Sequence, residues 1–133
     1  MDFLISGKAE LVLGASRGLG AAIAQGLAAE GVKVFACARN VAAMEKTDSI
    51  IPLAVDLSDE ASVAAMNAAV RTDGGVDILV NNSGGPTAVP AAGQSKANWM
   101  GAFESITSIF TVTGVGLVED AGRRSRPPRQ YVT

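Results

Sequence analysis

At 133 residues the chain has the length of one ordinary domain, and with 48% hydrophobic residues it can bury a core of its own. No run approaches the roughly 18 consecutive apolar residues of a membrane span. The absence of histidine and the single cysteine, Cys37, exclude Ser-His-Asp and Cys-His catalysis, internal disulfides and the usual zinc ligand sets.

The net charge of −2 is unevenly spread. Residues 1–118 are acidic on balance, whereas the last fifteen carry four arginines against Glu119 and Asp120. This separates a folded unit, 1–118, from an arginine- and proline-rich tail, 119–133, expected to be solvated and disordered. Without aromatic interleaving the tail does not read as a nucleic-acid contact. Met1–Ile5 has neither the basic start nor the apolar core of a secretory signal, so the expected compartment is the cytoplasm.

In chain order, Ala9–Leu13 ends in an apolar run suited to a buried parallel strand. Ala21–Ala29 follows as a helix with Ile23, Ala24 and Leu27 on one face, stopped by Gly31 in the manner of a C-terminal cap. Val32–Ala38 reads as the second strand and Val41–Lys46 as a short helix. Ile50–Val55 is the third strand, whose Pro52 suits a sheet edge. Ser58 is the expected N-cap of a helix with Asp59 and Glu60 in its first turn and a core stripe of Val63, Met66 and Val70. That helix ends at Gly74-Gly75. Val76–Val80 is the fourth strand, and a last helix runs from about Ser95 through Trp99, Phe103, Ile106 and Phe110 toward Val118. Strands alternating with helices imply a parallel sheet with helical crossovers.

Between the first strand and helix lies Gly14-Ala15-Ser16-Arg17-Gly18-Leu19-Gly20. A glycine turn in that setting binds phosphate, because free backbone N–H groups and the positive end of the helix dipole converge on the ligand. Any Cβ would block the turn, the approach of a pyrophosphate, or the packing of helix on strand. The spacing is G-x-x-x-G-x-G, and at this point a tight turn without ligand remains the alternative. A second position sharpens the choice. An acidic residue closing the second strand takes the ribose hydroxyls of NAD, whereas an arginine suits the extra phosphate of NADP. Here the strand closes on Ala38-Arg39-Asn40, and Arg17 can converge on the same dianion.

The glycine turn, Asp56-Leu57 after the third strand and Asn81-Asn82-Ser83-Gly84 after the fourth together resemble the short-chain dehydrogenase/reductase family, in particular its 3-oxoacyl-carrier-protein reductase-like members. The resemblance implies a Rossmann-like α/β fold, a doubly wound parallel sheet that is incomplete here, with about four strands and flanking helices. It implies an NADP(H) site in which Gly14, Ser16, Arg17, Gly18, Leu19 and Gly20 line the pyrophosphate and ribose. Arg39 and Asn40 would take the 2′-phosphate, Asp56 and Leu57 the adenine, and Asn82, Ser83 and Gly84 the central sheet and nicotinamide ribose. Leu13 and Ser83 stand where the family usually has threonine and alanine.

The family's chemistry uses a Y-x-x-x-K pair with a serine and an asparagine, the lysine bringing down a tyrosine pKa that is otherwise about 10. The one tyrosine here, Tyr131, is followed only by Val132 and Thr133, and no asparagine follows Asn98. The expectation is therefore the nucleotide-binding half of a reductase, without catalytic residues, its last segment altered by a reading-frame shift near residue 116. Such a half would leave the fourth strand's edge unpaired and the last helix exposed. Expected partners are the dinucleotide and either a second copy of the chain or an intact reductase subunit, with no nucleic acid and no membrane.

Overall fold

The computed structural model describes residues 3–84, 88–90, 92–112 and 129–132. The expected helix over 113–118, the tail from 119 to 128 and the side chains of Ile106, Phe110 and Tyr131 lie outside the described residues. The elements are β1 (Ala9–Leu13), α1 (Gly18–Ala29), β2 (Lys33–Ala38), β3 (Ile50–Ala54), α2 (Glu60–Thr72), β4 (Ile78–Asn81), α3 (Lys96–Val112) and β5 (Arg129–Val132). They form one five-stranded sheet, ordered β3-β2-β1-β4-β5, in which every pairing is parallel.

Alternate residues of the strands feed two cores. Leu11, Leu13, Phe35, Cys37 and Leu79 point to one face and pack with Val63, Met66 and Val70 of α2. Val12, Val34, Ala36 and Val80 point to the other and pack with Ala24 of α1. A sheet covered on both faces explains why β1, β2 and β4 read as apolar runs without alternation. Cys37 behaves as a small apolar residue, with burial pushing its thiol far above the ordinary range. Pro52 pairs with Ala36 on the edge strand β3, where its missing N–H faces no further strand.

Both of the first two helices close on glycines. After α1, Gly31 at φ +80 lets Val32 N–H reach the Leu27 carbonyl and its own N–H reach Ala28, the double closure of a Schellman motif. After α2, Gly74 and Gly75 close onto Arg71 and Val70 in the same way.

Three expectations are corrected. Residues 41–46 form turns, not a helix: Asn40 Oδ1 accepts the Ala42 N–H and Met44 N–H reaches the Val41 carbonyl. Six residues make too few intrahelical hydrogen bonds to offset the cost of nucleating a helix. The cap of α2 is Asp59, whose Oδ1 accepts the Ala61 N–H, while Ser58 turns back to bond Asp56. The fourth strand does not end the sheet. Residues 129–132 pair with 78–81 in register, so part of the tail expected to be disordered is a fifth strand. Tyr131 and Val132 are residue types that favour strands, but four positions are too few for a period to show.

One core residue does not fit its surroundings. Glu10, between Val34 and Ile78 in the middle of the sheet, is 0% exposed, and neither carboxylate oxygen has a hydrogen-bond partner. Burial pushes its pKa from 4.5 to about 7. The folded chain thus holds this proton more tightly than the unfolded chain, so stability contributed by the neutral acid is fully present below about 4.5 and is lost as pH rises through 7. Glu10→Gln, which cannot ionise, is expected to match the parent near pH 4.5 and to exceed it by about 3 kcal/mol at pH 8, as read by urea unfolding at both pH values.

Candidate functional site

The chain turns sharply after β1 because Gly14 sits at φ +64, a backbone that side chains with a Cβ rarely adopt. Space is as restrictive as conformation. A Cβ on Gly14 would lie 2.7 Å from the Asn82 carbonyl oxygen, and one on Gly20 only 2.2 Å from the Gly14 carbonyl oxygen. The first turn of α1 can therefore press against the end of β1. Asn82 holds the arrangement from the β4 side, its Nδ2 donating to the carbonyls of Leu13 at 3.2 Å and Gly14 at 3.3 Å. Ala15 N–H donates to the Cys37 carbonyl at 2.9 Å, which fixes the turn to the end of β2.

Helix α1 opens on an N-cap residue, Arg17, whose side chain makes no cap hydrogen bond. Its first N–H groups thus face the cleft without a side-chain acceptor, the arrangement that an anionic group completes. At the end of β3, Asp56 accepts hydrogen bonds from the Ser58 hydroxyl at 2.6 Å and the Ser58 N–H at 3.0 Å. These donors, with the charge of Arg39 adding to them, hold its carboxyl below the usual range. Asp56 N–H in turn donates to Ser62 Oγ, which anchors the loop on α2.

The strand ends open into one cleft of about 1160 Å³. Leu13, Gly14, Ser16, Arg17, Gly18 and Leu19 line it from β1 and the turn, and Ala38 and Arg39 from β2. Asp56 and Leu57 follow β3, while Asn82, Ser83 and Gly84 follow β4. Two of the expected site residues lie elsewhere. Gly20 is buried behind the turn, where its lack of a side chain sets the approach of α1. Asn40 does not line the cleft; its side chain shapes the bend after Arg39. The sequence reading missed the far wall, made by Ala88–Pro90, Gln94, Asn98 and Trp99. Trp99 had registered only as one position of an apolar stripe, and nothing local distinguishes a helix face that borders a cleft.

Among the described residues no group of three or more His, Cys, Asp or Glu could hold a metal ion, and no helix is long and apolar enough to cross a membrane. The sheet order reverses between β1 and β4, and the cleft opens at their carboxyl ends, the switch-point position at which open parallel sheets take ligands. Fold and cleft together define a doubly wound α/β protein of the Rossmann kind. The chain belongs to the short chain dehydrogenase family, which matches residues 8–122.

Over 105 residues it is 36% identical to dehydrogenase/reductase SDR family member 11 of Gallus gallus, covering 71% of this chain and 41% of that protein. Over 118 residues it is 33% identical to the rhamnolipids biosynthesis 3-oxoacyl-acyl-carrier-protein reductase of Pseudomonas aeruginosa, covering 82% and 46%. The L-sorbose reductase of Gluconobacter frateurii, solved with NADPH and L-sorbose, superposes with a TM-score of 0.79 at 30% identity, over 92% of this chain and 51% of that one. The chain thus spans about half the length, or less, of the proteins it matches.

The contact between α1 and the turn is testable at two glycines of one helix. Gly20→Ala is expected to lose about 2–3 kcal/mol, because backbone must shift to admit the methyl group. Gly26→Ala, which meets nothing within 4 Å, is expected to gain about 0.5–1 kcal/mol. Denaturant melts of the two variants check the opposite signs.

Proposed function

We propose that this chain is the NADP(H)-binding portion of a reductase acting on a carbonyl/alcohol pair, of the 3-oxoacyl reductase kind, and that alone it binds the cofactor without turnover. The observation that carries the reading is the convergence of Arg17, Arg39 and an uncapped helix N-terminus on one cleft at the sheet's switch point. A diphosphate fits the α1 terminus, which offers backbone donors and no competing side chain. Two guanidinium groups suit the further dianion that distinguishes NADPH from NADH. No carboxylate closes β2 to accept ribose hydroxyls in their place.

In this reading Gly14, Ser16, Gly18 and Leu19 border the pyrophosphate, and Leu57 with Asp56 borders the adenine. Asn82, Ser83 and Gly84 border the nicotinamide ribose. Bound NADPH supplies a hydride. The chain's own residues bind and orient it, but among these 133 residues no Y-x-x-x-K stands to donate a proton to the carbonyl oxygen. The L-sorbose reductase, matched over half its length, was solved with NADPH, which supports the cofactor assignment. A lone buried cysteine with no disulfide suits the cytoplasm.

A second reading, a non-catalytic subunit-interaction protein, is favoured by the exposed apolar side chains of α3. A full-length reductase copurifying with the chain would support it.

The test is a titration with NADPH and, separately, NADH, followed through Trp99, the sole tryptophan and itself on the cleft wall. Saturable binding that prefers NADPH is expected, without oxidation of NADPH when carbonyl substrates are added. Arg39→Ala and Arg17→Ala should each weaken NADPH at least tenfold and leave NADH nearly unchanged. Equal affinity for the two cofactors in the parent chain would overturn the assignment.

A further inference from the structure

Among the described residues Glu10 is the one buried residue that can carry a charge, and neither the turn nor the cleft lining makes use of it. Val12, two positions on, packs in the core beneath α1, and Val34, the register partner of Glu10, lies in the same core, so Glu10 points to that face. Both of its carboxylate oxygens lack a hydrogen-bond partner there. The charged groups of the surrounding elements lie elsewhere. Helix α1 packs on β1, β2 and β3 and holds no charged residue between Gly18 and Ala29, while Lys8 and Glu30, at the ends of these elements, are exposed. Lys33 of β2 is paired with Asp73, and Asp77, just ahead of β4, accepts the Ala9 N–H at 3.0 Å. On the register row of Glu10 the nearest charged position is Arg129, one strand beyond Ile78. An ionised carboxylate in such a place has neither water nor a donor, and the fold relieves it by opening.

The side of β1 toward β4 is the one held by fewer pairs. β1 pairs with β2 over five positions, Ala9 to Leu13, and with β4 over three, of which Glu10 with Ile78 is the first. Just before that pair Asp77 closes the seam, its N–H donating to the Ala9 carbonyl at 2.7 Å while its carboxylate takes the Ala9 N–H. β4 has four residues, Ile78–Asn81, and is followed at once by Asn82, which holds the glycine turn through the carbonyls of Leu13 and Gly14. A strand so short opens as one unit. We propose that Glu10 is a proton-controlled latch on the β1–β4 seam: protonated, it keeps the seam shut, and as the proton passes to solvent β4 opens from β1 more readily and draws Asn82 off the turn. Opening lets water reach the carboxylate while β1, β2, β3 and α1 stay together. Burial raises the Glu10 pKa from 4.5 to about 7, so the closed seam binds the proton more tightly than the open one. Opening is therefore rarest below pH 4.5, grows as pH rises toward 7 and levels off above it.

Amide hydrogen exchange of the whole chain, read by NMR at pH 6 and pH 8 and corrected for the intrinsic exchange rates, tests the proposal. It is made without nucleotide, so the result does not depend on the cofactor assignment. The amides of Leu79 and Val80 are expected to lose about tenfold in protection between the two pH values. Their exchange should also depend more weakly on urea than that of Phe35 and Cys37 in β2, because a local opening exposes less surface than unfolding. In Glu10→Gln the loss of protection is expected to vanish, and Glu10→Met, apolar and of similar volume, serves as a second variant that cannot ionise. Protection at Leu79 and Val80 that is unchanged from pH 6 to pH 8 would overturn the proposal. So would an equal loss in both variants, or a loss that carries the full urea dependence of β2, since unfolding of the whole chain would then be what exposes Glu10.

Discussion

Gly20 approaches Gly14 so closely that no side chain fits between them, and Asn82 closes the same contact from the neighbouring strand. Two consecutive elements and a strand end nearly seventy residues later are joined there by backbone contact and two hydrogen bonds. If the contact opened, α1 would lift from the sheet and its N-terminal N–H groups would no longer face the strand ends. Ala15 in the turn and Ala24 on the buried face of the helix, both small, belong to the same requirement, because bulk at either place would push the helix outward. The phosphate-type turn is therefore more than a flexible loop. Its geometry is imposed by packing behind it, and the open front of the cleft is what that packing leaves over.

The legible part of the molecule followed from residues that tolerate one conformation. Glycines 14, 18 and 20 marked the turn, Gly31 and Gly74-Gly75 marked helix ends, and Pro52 marked the edge strand; the structure places each of these there. Arg17, Arg39, Asp56 and Asn82 were found because they follow strand ends, which topology gathers at one rim. What was not legible depends on competition or on distance. Asn40 bonds Ala42 in a turn that no helix continues, and Ser58 serves Asp56 while Asp59 caps the helix. Residues 129–132 become a strand because β4 offers them a partner, and that partner lies about fifty residues earlier. Glu10 was read through as part of an apolar run. In a strand covered on both faces, position along the strand does not tell whether a polar residue reaches water.

The charges of the site and of the core obey opposite rules. At the rim, exposed arginines face a cleft that also holds two carboxylates, Asp56, whose ionised form the Ser58 donors and Arg39 favour, and Glu104 on the α3 wall. In the core, Glu10 has no donor, and burial converts its carboxyl toward the neutral acid. A cation beside Glu10 would ionise it, but its neighbours across the sheet, Val34 and Ile78, are apolar.

The two flanks of the sheet are secured differently. From β1 to β3, each crossover ends in a glycine closure or a hydrogen bond to the next strand. Ala15 N–H reaches Cys37, Val55 N–H reaches Ala38, and Asp77 ties the start of β1 to the approach to β4 through Ala9. That flank carries the turn, both arginines and Asp56, so the elements bearing the proposed cofactor contacts are also the elements most completely tied together. Among the described residues the sheet continues beyond β4 through the four residues of β5, and α3 shows large apolar side chains to solvent. The contacts that hold the cleft in shape thus lie almost wholly between β1 and β4, and the described structure is least enclosed on the side of α3.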